Sequence, residues 1–313
     1  MKQKLQLYLG LLVLSAIFLA SCNEDEDTRG DLPTSVILHY SVDDTKVAFN
    51  ALAVNADTYS WDFGDGNTST EANPVHTYEV GGYYSVTLSV TGGTGTVSDE
   101  AYLAISLPPF ELLTGDPATG NGKTWKMSAA HSSGGDYFAN ADAELSVVDD
   151  TPAPLPDGIF GTEFGMGGVY DDTYTFYPDG SYVHDVEADG GDFGGYVFQL
   201  LTDGGANVTN ANGASFGLCI ANYTPETGAT FTFNENVDLT VPSVYGGVPY
   251  TGAMTIDFSG TEFIGFRDFQ SMVILNSISD TKMQLTMFMA AGTDPEIVGV
   301  NTHALIMTFE LAD

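Results

Sequence analysis

Short segments in which apolar and polar residues alternate, closed off by Gly, Asp, Asn and Pro, set the limits on what this 313-residue chain can fold into. Val36, Leu38 and Tyr40 alternate with Ile37 and His39. Tyr59, Trp61 and Phe63 alternate with Ser60 and Asp62, and Tyr84, Val86, Leu88 and Val90 with Ser85, Thr87 and Ser89. A repeat of two sends successive side chains to opposite faces, so each segment reads as a half-buried strand. The pattern resumes later. Tyr174 and Phe176 precede the turn Pro178-Asp179-Gly180 and Tyr182 begins the return, Met254, Ile256 and Phe258 alternate with Thr255 and Asp257, and Leu305, Met307, Phe309 and Leu311 end the chain. No long stretch carries helical spacing. The expectation is an all-β protein with enough chain for two cores.

Between the first strands lies Trp61-Asp62-Phe63-Gly64-Asp65-Gly66-Asn67, where Asp-Gly supplies the positive φ of a tight turn and Trp61 can fill the space between two sheets. Asn73-Pro74-Val75-His76-Thr77-Tyr78 and Gly82-Tyr83-Tyr84 follow. In this order the strings resemble the polycystic kidney disease (PKD) domain, which implies an immunoglobulin-like β-sandwich over residues 35–107. In that family the domain usually serves as a spacer, so Trp61, Asp65 and His76 read as core and turn residues rather than as a binding patch. Pro108-Pro109 and the Gly/Asp/Asn-rich run 114–122 read as a linker, residues 108–122. Residues 123–313 then form a larger β-sandwich, jelly-roll-like, with a barrel as the alternative.

The first residues carry an address. Lys2 and Lys4 precede an apolar run, residues 5–20, that ends in Leu19-Ala20-Ser21-Cys22. This is the layout of a secretory signal peptide, residues 1–21, too short and wrongly flanked for a spanning helix. Leu-Ala-Ser-Cys resembles the lipobox of bacterial lipoproteins, which implies cleavage before Cys22 and lipid on its thiol. Asn23-Glu24-Asp25-Glu26-Asp27 opens an acidic flexible linker, residues 22–34. Acidic residues just after the lipid cysteine resemble the export signal of Bacteroidota lipoproteins, which implies the outer membrane, facing the cell exterior.

Charge narrows the partners. With 8 basic against 42 acidic residues, a formal charge of −34, the chain repels phosphates and anionic headgroups. Nucleic acid is excluded, contact with the membrane is expected through the lipid only, and a neutral ligand is favoured. The other cysteine, Cys219, lies in the apolar-flanked Phe216-Gly217-Leu218-Cys219-Ile220 and reads as core.

Three strings of the distal region resemble the domain that follows PKD domains in surface glycan-binding lipoproteins of Bacteroidota polysaccharide-utilisation systems. They are Gly122-Lys123-Thr124-Trp125, Tyr170-Asp171-Asp172-Thr173-Tyr174-Thr175-Phe176 with its Asp179-Gly180-Ser181-Tyr182 hairpin, and residues 274–285. The resemblance implies capture, without cleavage, of a neutral polysaccharide, a β-glucan such as laminarin, beside a starch-utilisation-type transporter and its lid lipoprotein. Sugar rings stack on flat aromatic side chains, so the candidate binding residues are the loop aromatics Tyr196, just beyond Gly194-Gly195, Tyr223, Tyr245 and Tyr250, together with Trp125 at the start of a strand.

Enzyme signatures are weak. The nearest approach to a glycosidase carboxylate strand, Glu187-Ala188-Asp189-Gly190-Gly191-Asp192, ends in Asp and carries a glycine pair that belongs in a turn. The five histidines lack zinc spacing and no Gly-x-Ser-x-Gly elbow occurs. A non-enzyme without a cofactor is expected, with a divergent glycoside hydrolase and an adhesion or envelope scaffold as alternatives. For structural calcium, Asp185, Glu187 and Asp189 alternate before Gly190, and Asp171 and Asp172 could contribute. An acidic turn is the plainer reading of the same residues.

Overall fold

The computed structural model describes residues 32–312, so the signal peptide, Cys22 and the acidic run that follows it lie outside the described residues. Among the described residues no helix is long and apolar enough to cross a membrane. The chain divides into two compact units between Ser106 and Leu107.

The first unit holds β1 (Ser35–Asp43), β2 (Lys46–Val54), β3 (Thr58–Asp62), β4 (Thr68–Ser69), β5 (Val75–Thr77), β6 (Gly82–Gly92) and β7 (Gly95–Ile105). They form two antiparallel sheets, ordered β1-β2-β5 and β4-β3-β6-β7. The alternating residues Val47, Phe49, Trp61, Val86, Leu88 and Val90 are buried between them. Trp61 gives its indole N–H to the Glu71 carbonyl at 2.8 Å, so the largest core side chain leaves no donor unpaired. The turn after it is held from inside. Asp62 accepts from the Gly64 N–H, and Asp65 from the Asn67 N–H, at 2.9 and 3.0 Å. Gly64 sits at φ +79°, and a Cβ there would stand 2.5 Å from the Ser85 carbonyl oxygen. His76 lies flat on Phe63, ring centroids 4.2 Å apart, with Nε2 2.7 Å from Asp65. Trp61, Asp65 and His76 thus lock the sandwich together.

The second unit begins with α1 (Pro109–Thr114), β8 (Lys123–Met127), α2 (His131–Gly134), β9 (Tyr137–Asn140), α3 (Ile159–Phe164), β10 (Thr173–Phe176) and β11 (Tyr182–Asp185). It continues with β12 (Gly191–Gly195), α4 (Tyr196–Asp203), β13 (Val208–Asn210), β14 (Leu218–Asn222), β15 (Phe231–Val241), β16 (Val248–Phe258), β17 (Val273–Ile278), β18 (Lys282–Met289) and β19 (His303–Leu311). One antiparallel sheet runs β11-β10-β8-β19-β18-β17-β16-β15, with β9 also on β19, and β12-β14-β13 form a small second sheet. The large sheet curls until its edges touch. Ser181 bridges Thr230, the Tyr182 N–H reaches the Ala229 carbonyl at 2.9 Å, and the Phe231 N–H reaches the Gly180 carbonyl at 3.0 Å. Its two halves face each other across one core, sandwich-fashion, while the up-and-down strand order and the meeting edges give it barrel character.

Alternate residues fill the inside: Trp125 and Met127, Tyr174 and Phe176, Leu285 and Met287, and Leu305, Met307 and Phe309. The outer face is not all wet. Ile274, Phe288, Ala304 and Ile306 form a further core with Val241 and Val248. Two register shifts in the β15–β16 pairing, after Asn234 and after Val237, mark where that hairpin departs from the regular ladder. His131 and Asp136, both fully buried, bond at 2.7 Å, with Tyr170 on the other ring nitrogen at 2.8 Å and Thr308 on the second Asp136 oxygen at 2.6 Å. Every polar atom there has a partner, and the network ties two loops to β19.

The expected linker 108–122 is corrected. Pro109 opens a helix, and Leu113 of that helix is fully buried in the distal core. The Trp125 indole N–H bonds the Leu113 carbonyl at 2.9 Å and the Lys123 ammonium bonds that of Leu112, also at 2.9 Å. Pro-Pro is a common mark of a linker, yet Pro also suits the first helical turn, where its missing N–H costs nothing. Leu113→Ala is therefore expected to cost the distal unit about 2–5 kcal/mol, as in other buried leucines. Calorimetry of the full chain checks it, since a linker residue would leave both unfolding transitions in place.

Candidate functional site

The site is built where backbone segments approach more closely than side chains would allow. Arg267 lies alongside β12. Its N–H bonds the Phe193 carbonyl and its carbonyl accepts from the Gly195 N–H, both at 2.9 Å. A Cβ on Gly194 would stand 3.0 Å from the Arg267 carbonyl oxygen, and one on Gly195 would stand 2.1 Å from Asp268 Oδ2. Gly194-Gly195 is thus a docking strip for residues 267–268, not a turn.

The fixed backbone delivers the Arg267 side chain into a crowded place. Its Nη1 donates to Asp192 Oδ2 at 3.1 Å. Its guanidinium carbon lies 4.4 Å from the Tyr223 ring centroid and 5.4 Å from that of Phe198, within cation–π range of both. Phe198 meets Phe269 edge to face at 5.1 Å. Around these groups opens a cleft of about 190 Å³, lined by Phe198, Thr261, Phe263, Arg267, Phe269 and Ser271, together with Gly260 and Asp268. It is smaller than the ~300–1,000 Å³ of an ordinary small-molecule pocket, so it suits one ring of a longer ligand lying across the surface. Phe269 remains 42% exposed, so part of its ring is open to solvent.

Beneath the cleft lies an unusual concentration of buried polar atoms without hydrogen-bond partners: Asp172 Oδ1, Asp192 Oδ1, Glu262 Oε2 and both ring nitrogens of His184. His184 Nδ1 and Glu262 Oε2 are 3.4 Å apart, with both side chains fully buried. Tyr174, Phe263 and Tyr223 surround the imidazole, ring centroids 4.7, 4.9 and 5.6 Å away. Burial, reinforced by the carboxylates of Asp189, Asp192, Asp171 and Glu187, pushes the Asp172 carboxyl up to about 8. Burial raises Asp192 too, against the pull of Arg267, and lifts Asp268 to about 7. Tyr223 is pushed up to about 12, first by burial.

The predicted residues do not assemble as one platform. Trp125 is fully buried and offers no face to a ligand. Tyr196 is not in a loop but is the first residue of α4, half-buried, its N–H on the Gly217 carbonyl. Tyr250 belongs to β16 and packs against the outer core. Tyr245 is in a loop and 56% exposed, as expected. Asn301 bonds both the Pro242 carbonyl at the start of that loop and Gln270 beside Phe269, at 2.9 Å each. Only Tyr223 lies next to the cleft, its ring centroid 4.4 Å from the Arg267 guanidinium carbon. Phe198, Arg267, Asp268 and Phe269 were missed. Their signal was present: Arg267 is the one arginine of the described chain, set in Phe263-Ile264-Gly265-Phe266-Arg267-Asp268-Phe269.

Of the calcium candidates, Glu187 and Asp189 line an acidic cavity of about 430 Å³ with Asp171, Gly168 and Ala188. Asp185 is spent on the turn, accepting from the Glu187 N–H at 2.8 Å, and Glu187 takes φ +52°. Among the described residues no three His, Cys, Asp or Glu side chains are arranged to hold a metal ion.

Asp172 makes stability depend on pH. In the unfolded chain its carboxyl titrates near 3.8, in the folded unit near 8, so between these values the folded state holds the extra proton and stability falls as pH rises. Thermal unfolding of the distal unit should occur at lower temperature at about pH 8.5 than at about pH 5.5. Asp172→Asn should flatten that dependence.

Comparison with known proteins bears on the first unit. The PKD domain family matches residues 39–107. Over 41 residues the chain is 58% identical to collagenase ColQ1 of Bacillus cereus (strain Q1), a match that spans 13% of this chain and 4% of the collagenase. Among solved structures, the PKD1 domain of the Vibrio cholerae metalloprotease PrtV is 32% identical, covering 24% of this chain and 98% of that one, with a TM-score of 0.23. A carbohydrate-binding module of the β-sandwich superfamily aligns over 91% of this chain and 94% of its own at 15% identity, with a TM-score of 0.25. A PKD domain is therefore present over residues 39–107.

Proposed function

We propose that this chain is a lipid-anchored surface protein of the outer membrane that captures a neutral polysaccharide, β-glucans among the first to test, without cleaving it, and supports its uptake. The cleft carries this reading. Phenylalanine faces at Phe198 and Phe269, a fixed guanidinium at Arg267 and the hydroxyls of Thr261 and Ser271 converge in a space suited to one ring. That combination, apolar faces with a few placed polar groups, is what a sugar demands. The exposed Tyr245 offers a further stacking face for a chain that extends beyond the cleft.

Binding is favoured over hydrolysis by the placement of carboxyls. Glycoside hydrolysis usually runs through two carboxyls facing each other across the bond, and only one, Asp268, lines the cleft. Asp268 already accepts from the Phe269 N–H at 2.7 Å, and Asp192 is held by Arg267. Cys22 and the acidic residues after it fit a tether that keeps the captured polymer with the cell, beside a starch-utilisation-type transporter and its lid.

Two measurements test this. On affinity gels containing neutral polysaccharides, the full chain with Cys22→Ser should be retarded, and Phe269→Ala or Phe198→Ala should weaken binding about tenfold, the loss of one stacking contact worth about 1.4 kcal/mol. In cells, the wild-type protein should stay with the membrane and be cut by protease added outside, whereas Cys22→Ser should leave the membrane fraction. Retention of full affinity by both phenylalanine variants would remove the cleft from consideration.

A further inference from the structure

The orientation of Arg267 says more about the ligand than its presence does. Three restraints fix the guanidinium: the backbone ladder to Phe193 and Gly195, the 3.1 Å bond from Nη1 to Asp192, and the faces of Tyr223 and Phe198. The bond to Asp192 is its one side-chain hydrogen bond among the described residues. Its remaining N–H donors are not among the buried polar atoms left without partners, and the side chain is 20% exposed in the cleft. The donors not spent on Asp192 thus remain for a ligand in the cleft that Arg267 lines, on a side chain already immobilised before any ligand arrives, so that little rotamer entropy is lost on binding.

Two kinds of group fill a guanidinium fork: an oxyanion such as a carboxylate or phosphate, or two oxygens on neighbouring carbons. Charge chooses between them. Asp192 stands against the guanidinium with a side chain that is fully buried, and Asp268 and Glu262 lie close by in the same segment. The whole chain carries a formal charge of −34 around this single described arginine. An anionic ligand meets repulsion on approach and finds the one basic side chain that lines the cleft already paired. A neutral ligand meets only the donors.

We infer that Arg267 reads a pair of free hydroxyls on adjacent ring carbons, and so sets which glycosidic linkages the cleft accepts. This rests on the polysaccharide-binding reading above and narrows it. In a 1,4-linked glucan each internal residue keeps its 2- and 3-hydroxyls free and adjacent. In a 1,3-linked glucan the substituted 3-position leaves no adjacent pair within the chain. The ring stacks on Phe198 or Phe269 while the hydroxyl pair accepts from the Arg267 fork.

The test uses the full chain with Cys22→Ser and isothermal titration against soluble 1,4-linked and 1,3-linked glucans, a 1,4-linked xylan, a polyuronate, and the 1,4-linked polymers after periodate has cleaved their adjacent diols. The 1,4-linked neutral polymers should bind at least about tenfold tighter than the 1,3-linked one, the worth of one good charge-assisted hydrogen bond. Periodate treatment should remove that advantage. Arg267→Lys, which keeps the charge and loses the fork, should bring the two linkages level. Equal affinity of the wild-type chain for both linkages, indifference to periodate, or preference for the polyuronate overturns the inference while leaving polysaccharide binding intact. Failure to bind any of these polymers overturns both. Should Arg267→Lys not fold, as judged by its unfolding temperature, the periodate comparison on the wild-type protein decides alone.

Discussion

Closure of the distal sheet on itself is the constraint from which the rest of the unit follows. An open sheet of this size would leave two edges of unpaired N–H and C=O groups. Here the edges meet between Ser181 and Thr230, with the flanking Tyr182 and Phe231 amides bonded across the seam. Closure needs curvature, and curvature brings the inward residues of β8, β10, β18 and β19 together in one core. The segments that do not fit in the curl, β12 to β14 with α4 and the long connection between β16 and β17, are left to build the cleft.

The polar interior is the cost of that arrangement. Bringing residues 267–268 against β12 buries Asp192, and the same region buries Asp172, His184 and Glu262. Arg267 offsets part of this by pairing with Asp192, and a raised Asp172 offsets another part by keeping its proton near neutrality. Removing one member of a buried pair strands the other as an uncompensated charge, so these groups depend on one another. The acidic surface has no such dependence, because water screens it.

The first unit was legible because its strands obey one rule: one face core, the other face water. Trp61, Val86 and Leu88 stand in period two, and Gly64 and Asp65 announce a turn that demands positive φ. In the distal unit the rule lapses where both faces are covered. Thr286, Met287, Phe288 and Met289 are all buried in β18, so the run carries no phase. Gly194-Gly195 misled for a different reason. Glycine marks turns, but also places where another backbone must come near, and sequence gives no sign of which neighbour that is. The consequence was local: Tyr196 was assigned to a loop, and Arg267, 72 residues and more downstream of those glycines, was overlooked. Pro109 shows the same ambiguity, a stop signal that proved to be a start.

The glycine strip at 194–195 has one more consequence. The cleft and the groups that hold its arginine draw on three separate stretches of chain: Asp192 to Phe198, Tyr223, and residues 260–271. Until residue 267 reaches the strip, the guanidinium has neither its carboxylate nor its aromatic neighbours. The setting of Arg267 is therefore a property of the finished fold, and no shorter piece of the chain presents a guanidinium both paired and stacked.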